Sequence, residues 1–393
     1  MTRKIVYTLS TLFLLVSITF GGSPSTYAVE LYSENSIRLE EVPSDHLQEV
    51  ASAAVHHHLD ILTNAEVTGS STYALSARYE VAMTDQFDLA TRRHQGLLEA
   101  GIIYSAYEIE LSFGSIATEG ELVTIEASEY TIIKMETVEP DPLAPTQTEY
   151  VDTHTFAFQQ VNDQWHLVDL RTVQPLSIES DDPNDIVTDP PAILSFDPQA
   201  SNAIYLPFAA VDPDEGIQAA AIDAITADRN KIVSFAVKWW NGAHPWFNHW
   251  PGVDCTNFVS QALYKGGWHY TPAHWWTKWD PSSWWYVHNH SYPNTRAYDD
   301  QTRSWTYAPT FYNFAVGSGR AVRKYYLSDL RTGDVLQIDW WGNRIIDHTA
   351  IVTDIGYRNR IYLTYHSINR LNKPLTDIMI TYPNANYYPL QIQ

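Results

Sequence analysis

Cysteine is almost absent: Cys255 is the one thiol in 393 residues. No disulfide can form within the chain, although exported proteins normally pair their cysteines. Long apolar runs are equally scarce. Residues 5–20 form one, preceded by Arg3 and Lys4 and followed by Gly21-Gly22-Ser23-Pro24 and Thr26-Tyr27-Ala28. That run is too short for a comfortable bilayer span, and the pattern predicts a signal peptide over residues 1–28 with Val29 as the mature start. No other stretch is apolar enough to cross a membrane, so the expected product is soluble and secreted, in the extracellular space or cell wall. Basic residues are few as well, 24 Lys and Arg against 46 Asp and Glu, a net charge of −22. Such a surface excludes nucleic acid as a partner and disfavours anionic membranes.

Glutamate is missing altogether after residue 230, and that absence locates a division. Residues 29–230 carry 36 acidic and 7 basic side chains, a net of −29, whereas residues 231–393 carry 10 and 15, a net of +5. Thirteen of the 14 tryptophans lie in the second part. Between the halves, residues 174–216 hold seven prolines among Asp, Ser and Ala, including Asp189-Pro190-Pro191. This composition predicts a stiff linker. The expected organisation is an acidic α+β domain over 29–173, a linker over 174–216 and a second domain over 217–393, separable by proteolysis. Solubility is the first role expected of the acidic charge.

In the acidic half, apolar marks at Leu47, Val50, Ala54, Leu59 and Leu62 predict a helix from Asp45 to Asn64, and a second helix is expected from Ala77 to Ala100. Strands are expected at 102–113, 122–137, 150–160 and 164–173, with a hairpin turn at Val161-Asn162-Asp163-Gln164. Helices followed by a meandering antiparallel sheet resemble the cone-shaped NTF2-like fold in pattern. His56-His57-His58 is read as a solvated helix face, because adjacent helical residues point in different directions and cannot share a metal.

The second half begins with a helix expected over Ala219 to Trp240. Cys255 follows in Asp254-Cys255-Thr256-Asn257-Phe258-Val259-Ser260-Gln261, where Phe258, Val259, Ala262 and Leu263 recur at helical spacing and Gly266-Gly267 ends the helix. The thiol therefore falls in the first turn. Unpaired N–H groups and the helix dipole there favour a thiolate, so the position suits a nucleophile as well as a buried small side chain. An aromatic stretch runs over 268–314. Strands are expected at 333–340, 345–355, 360–366 and 375–382. Eight histidines lie after position 240, and two of them, His348 and His366, sit in expected strands. Neighbouring strands lie about 5 Å apart, so facing histidines can hydrogen-bond. A cysteine on a helix start, a histidine base and a third group orienting that base make a thiol hydrolase site.

The runs Asp228-Arg229-Asn230-Lys231, Trp239-Trp240-Asn241, Asp254 to Gln261, Trp284-Trp285-Tyr286, Ser304-Trp305, Gly333-Asp334-Val335 and Asp347-His348-Thr349-Ala350-Ile351-Val352 closely resemble the putative amidase domain of Gram-positive bacteria. The likeness spans about residues 220–385. That family is similar in layout to the NlpC/P60 and CHAP cell-wall hydrolases, which implies a papain-like α+β fold after the N-terminal domain. By this resemblance Cys255 maps to the nucleophile, His348 to the base and His366 to the orienting residue, with Asn369 as an alternative for the last. The implied reaction is cysteine-dependent hydrolysis of an amide, in peptidoglycan or another extracellular substrate, with the Cys255 N–H helping to hold the oxyanion. No metal or cofactor is implied. Two other classes remain: a metal hydrolase around His288-Asn289-His290, disfavoured by its spacing, and a catalytically silent wall-binding module.

Overall fold

Period-two and period-3.6 patterns divide the chain, and the result is an α+β protein. The computed structural model describes residues 44–63, 77–119, 121–162, 164–192, 227–288 and 300–393. The expected signal peptide and residues 193–226 lie outside them. Among the described residues no helix is long and apolar enough to cross a membrane.

Helix α1 (Ser44–Thr63) buries Leu47, Val50, Ala54, Leu59 and Leu62 on one face, and α2 (Ala77–Glu99) packs beside it. Four antiparallel strands follow: β1 (Ile102–Glu119), β2 (Leu122–Thr137), β3 (Gln147–Val161) and β4 (Gln164–Thr172). In β2, Val123, Ile125, Ala127, Ile133 and Met135 take the buried positions of a regular alternation. Their core also holds Phe156, Phe158 and Leu167.

Helix α3 (Arg229–Trp239) starts at Asp228, whose side chain accepts the Lys231 N–H as a cap. Of the helix expected from Ala219 to Trp240, residues 219–226 lie outside the described ones, and the described part is helical from Arg229. Helix α4 (Cys255–Lys265) lies against it, with Ile232, Phe235, Phe258 and Val259 in a common core. A short hairpin, β5 (Tyr286–Val287) and β6 (Asp300–Gln301), precedes α5 (Arg303–Thr306) and α6 (Ala308–Gly317). The remaining elements are β7 (Ala321–Arg323), β8 (Val335–Asp339), β9 (His348–Gly356), β10 (Arg360–Tyr365), β11 (Arg370–Pro374), α7 (Leu375–Thr381) and β12 (Asn386–Ile392). The strand expected at 375–382 is thus a helix: Leu375 and Ile378 share its buried side, and Asp377 is drawn inside by charge partners rather than by β alternation.

All strands but those of the small hairpin belong to one ten-stranded sheet, in the order β1-β2-β3-β11-β10-β9-β8-β12-β7, with β4 pairing the later part of β3, beyond the residues that β11 pairs. The two halves join where Arg370 pairs with Tyr150 and Leu371 with Glu149. Charge fixes the same seam. Arg93 of α2 donates to both oxygens of Asp377 in α7, at 2.6 and 3.0 Å, and Tyr104 and Lys373 donate to that carboxylate too. Burial alone would raise the Asp377 carboxyl, but Arg93 and Lys373 outweigh it and hold it far below the usual carboxylate range. Arg370 binds Asp152 at 2.7 Å. Residues 174–192, from the proline-rich segment, lie on the second half. Ile186 bridges Ile345, and the buried Asp185 accepts from Arg303 and Tyr307.

Candidate active site

The start of α4 places Cys255 against the edge of the sheet where β9 and β10 separate. Asp254 occupies the cap position, yet its side chain makes no cap bond to its own helix. Instead Oδ1 accepts from Trp250 N and Asn257 Nδ2, at 3.0 and 2.8 Å, and Oδ2 faces His366 Nδ1 and His249 Nδ1, at 2.7 and 3.1 Å. A helix start normally satisfies its free N–H groups with the capping side chain. Here Ser367 substitutes from across the fold: its Oγ accepts the N–H of Asp254 at 3.0 Å and of Cys255 at 3.1 Å. Ser367 sits at φ +84°, a left-handed conformation that costs a non-glycine residue energy. The N–H of Cys255 expected to stabilise an oxyanion is therefore already engaged.

The thiol is buried and meets four polar neighbours. Sγ lies 3.8 Å from Thr256 Oγ1 and 3.9 Å from the Asp347 carbonyl oxygen. Burial raises its pKa, while hydrogen bonds from Thr256, the Thr349 N–H and Ser367 pull the other way. The Asp347 carbonyl and the Thr349 N–H bracket His348 in sequence, so the sulfur rests against the backbone of that residue.

His348 opens β9, as its position in the alternating run predicts, but its ring turns away from α4. The next residue, Thr349, faces α4 through Thr256 Oγ1 at 2.9 Å. Alternation then sends His348 to the opposite face of the sheet. There it packs against Trp340 and, edge-on, Tyr365, with centroids 5.3 and 4.7 Å away. Its Nε2 is buried without a hydrogen-bond partner, and burial lowers its pKa to about 3. The imidazole is neutral.

His366 lies just past β10 on the α4 face, stacked on Phe258 at 4.0 Å. Its Nδ1 faces Asp254, and its Nε2 donates to the Trp239 carbonyl at 2.7 Å. It is not hydrogen-bonded to His348. Asn369 is on the surface, its Nδ2 3.4 Å from Asn241 Oδ1. The structure thus gathers Cys255, Asp254, His249, His366 and Ser367 around one helix start, with His348 behind the strand. Asp254, His249 and Ser367 were not foreseen as site residues. Asp254 stands beside the cysteine in the motif, but nothing local marks Ser367 as a cap for a helix 112 residues away.

With this geometry in view, comparison places the second half. Residues 226–390 match the family model of the Putative amidase domain. The matched region contains every residue of the site above and none of residues 44–192. Two proteins of Bacillus subtilis (strain 168) are similar over part of the chain. Uncharacterized protein YjcM is 26% identical over 209 residues, 50% of this chain and 42% of its own. Uncharacterized protein YhbB is 32% identical over 140 residues, 33% of this chain and 38% of its own. The chain spans about two fifths of the length of these relatives. Among solved structures, the intermembrane space region of chloroplast protein ARC6 matches 32% of this chain and 95% of that one, at 16% identity and a TM-score of 0.22; a likeness of that size carries no argument.

The tryptophans of the second half serve two purposes. Trp268, Trp284, Trp285, Trp305 and Trp340 are core, and Trp246, Trp275, Trp276, Trp279 and Trp341 are exposed. An aromatic concavity lined by Trp246, Phe247, Tyr264 and Tyr270 lies at the far end of α4. Ten helical residues put it roughly 15 Å from Cys255.

Proposed function

We propose that the chain is a secreted cysteine amidohydrolase that cleaves an amide of peptidoglycan by acyl transfer through Cys255. One observation carries the reading: the thiol sits in the first turn of α4, among hydrogen bonds from Thr256, the Thr349 N–H and Ser367 that favour its thiolate form against burial. Similarity to the amidase domain supplies the bond class.

In this mechanism the Cys255 sulfur attacks the amide carbon and its thiol proton passes to the leaving amine. Water next releases the acyl group as a carboxylic acid and restores the thiol. His348, expected as the base, lies on the opposite face of the sheet from the sulfur and takes no part in these proton transfers. His366 acts here as a positioning residue: with Asp254 and the Trp239 carbonyl it ties β10 to α3 and to the start of α4. Exposed Trp246, Trp275, Trp276 and Trp279 offer faces on which sugars can stack.

The burial of Cys255 favours one competing reading, a wall-binding module that keeps the fold without turnover. Incubating the full chain with purified peptidoglycan and identifying released fragments by mass spectrometry separates the two. The amidase reading requires fragments carrying a new amine or carboxylate from the wild type and none from Cys255→Ala. Retention on peptidoglycan without fragments supports the silent module. Equal release by both proteins ends the cysteine reading.

A further inference from the structure

His249, Asp254 and His366 converge beside the start of α4, and the proposed acyl transfer gives them no chemical step. One nitrogen from each ring and one carboxylate oxygen all lie within 4.8 Å of one another. Hydrogen-bond accounting leaves this cluster incomplete. His366 Nε2 faces the Trp239 carbonyl, which can only accept, so that nitrogen carries the hydrogen of a neutral ring. Nδ1 then points a lone pair at Asp254 Oδ2, itself an acceptor. His249 Nδ1 meets the same oxygen. Both rings thus converge on one carboxylate oxygen, an arrangement in which a cation could take a lone pair from each nitrogen.

We propose that His249 Nδ1, Asp254 Oδ2 and His366 Nδ1 bind one divalent transition-metal cation of the zinc class. Two imidazoles and a carboxylate are suitable ligands for such an ion. Bond lengths near 2.1 Å in a tetrahedron place ligand atoms about 3.4 Å apart; the present separations from Oδ2, 2.7 and 3.1 Å, need to open by roughly 0.7 and 0.3 Å. The supporting bonds are those of a built site. The Trp239 carbonyl fixes the His366 tautomer, Trp250 N and Asn257 Nδ2 hold Asp254 Oδ1, and Phe258 stacks on the His366 ring. The first N–H groups of α4 bond Ser367 Oγ rather than the cluster, which lessens the cost of a cation at a helix start. The partly exposed His249 gives the ion a path in and leaves a position for water.

The test uses the full chain, stripped with chelator and titrated with Co2+. The expected result is a visible d–d spectrum of low-symmetry Co2+ that saturates at one equivalent and is bleached by Zn2+. Zn2+ is expected to raise the melting temperature. His249→Ala, which leaves the buried pair intact, is expected to weaken Co2+ binding by about 100-fold or more while the far-UV spectrum is unchanged; His288→Ala is expected to bind normally. A wild type with no saturable spectrum at millimolar Co2+ overturns the proposal in favour of direct hydrogen bonds from the two rings to Asp254. Full-strength binding by His249→Ala overturns it in favour of a site elsewhere. Cys255→Ala should bind Co2+ as the wild type does whether or not the chain is an amidase, so failure of one reading is distinguishable from failure of the other.

Discussion

Ser367 and His348 show how much a single residue decides at this site. The Ser367 hydroxyl satisfies two N–H groups at the start of α4 from a strained backbone position. Ser367→Ala removes that acceptor and keeps the strain, so we expect a loss of about 1–3 kcal/mol in urea denaturation and a marked drop in activity. His348 makes stability depend on acid. Its folded pKa is about 3 because of burial, with Arg370 adding to the effect, against about 6.5 in the unfolded chain. Between those values the unfolded chain holds more protons, so stability is full above about pH 6.5 and declines as pH falls toward 3. His58, lowered to about 3 by burial and by Arg93, adds a loss of the same sign. Urea denaturation at pH 7 and pH 4.5 checks this: His348→Gln should lose less stability between the two than the wild type. An equal loss would mean that the His348 ring is not desolvated.

At the scale of elements, the packing of α3 on α4 sets where Cys255 sits. Gly266, at the end of α4, lies so close to α3 that an added Cβ would stand 2.3 Å from Ile232 Cγ1 and 3.3 Å from the Asp228 carbonyl oxygen. Its φ is −76°, so the conflict is one of space alone. Gly266→Ala is expected to cost about 1–3 kcal/mol. Because the clash is with Ile232, combining it with Ile232→Ala should cost less than the sum of the two single changes, measured as a double-mutant cycle. Additive losses would refute the contact. The same scale shows what the sequence could reveal. The α1 and α2 periodicities, the second strand and the cysteine at a helix start all follow from local pattern, and the structure places these elements within a residue or two, whereas β1, expected to end at Phe113, runs on to Glu119. The segment 375–382 did not, because Ile378-Met379-Ile380-Thr381 has strand-like composition, while its helix depends on Asp377 meeting Arg93, 284 residues away. Likewise Cys255 and His366 were legible as chemistry. The partner of His366 was not: strand alternation puts His348 and His366 on opposite faces, and only the three-dimensional register shows that His366 instead reaches Asp254.

Across the whole molecule, sequence composition separates two halves, and the structure joins them through one sheet and a buried ionic cluster. Asp377 of the second half depends on Arg93 of the acidic half. Arg93→Ala should therefore destabilise the chain by about 3 kcal/mol or more, since a buried carboxylate loses a partner. Differential scanning calorimetry should then show the halves melting apart; a single transition at the wild-type temperature would contradict this seam. The central claim is that Cys255 carries the acyl group. Intact-mass and peptide mass spectrometry of the full chain, quenched in acid during turnover of peptidoglycan fragments, tests it most directly. The account predicts one acyl adduct, located on the peptide containing Cys255 and absent from Cys255→Ala. Amide cleavage that continues in Cys255→Ala at the wild-type rate, with no adduct on the wild type, would contradict it.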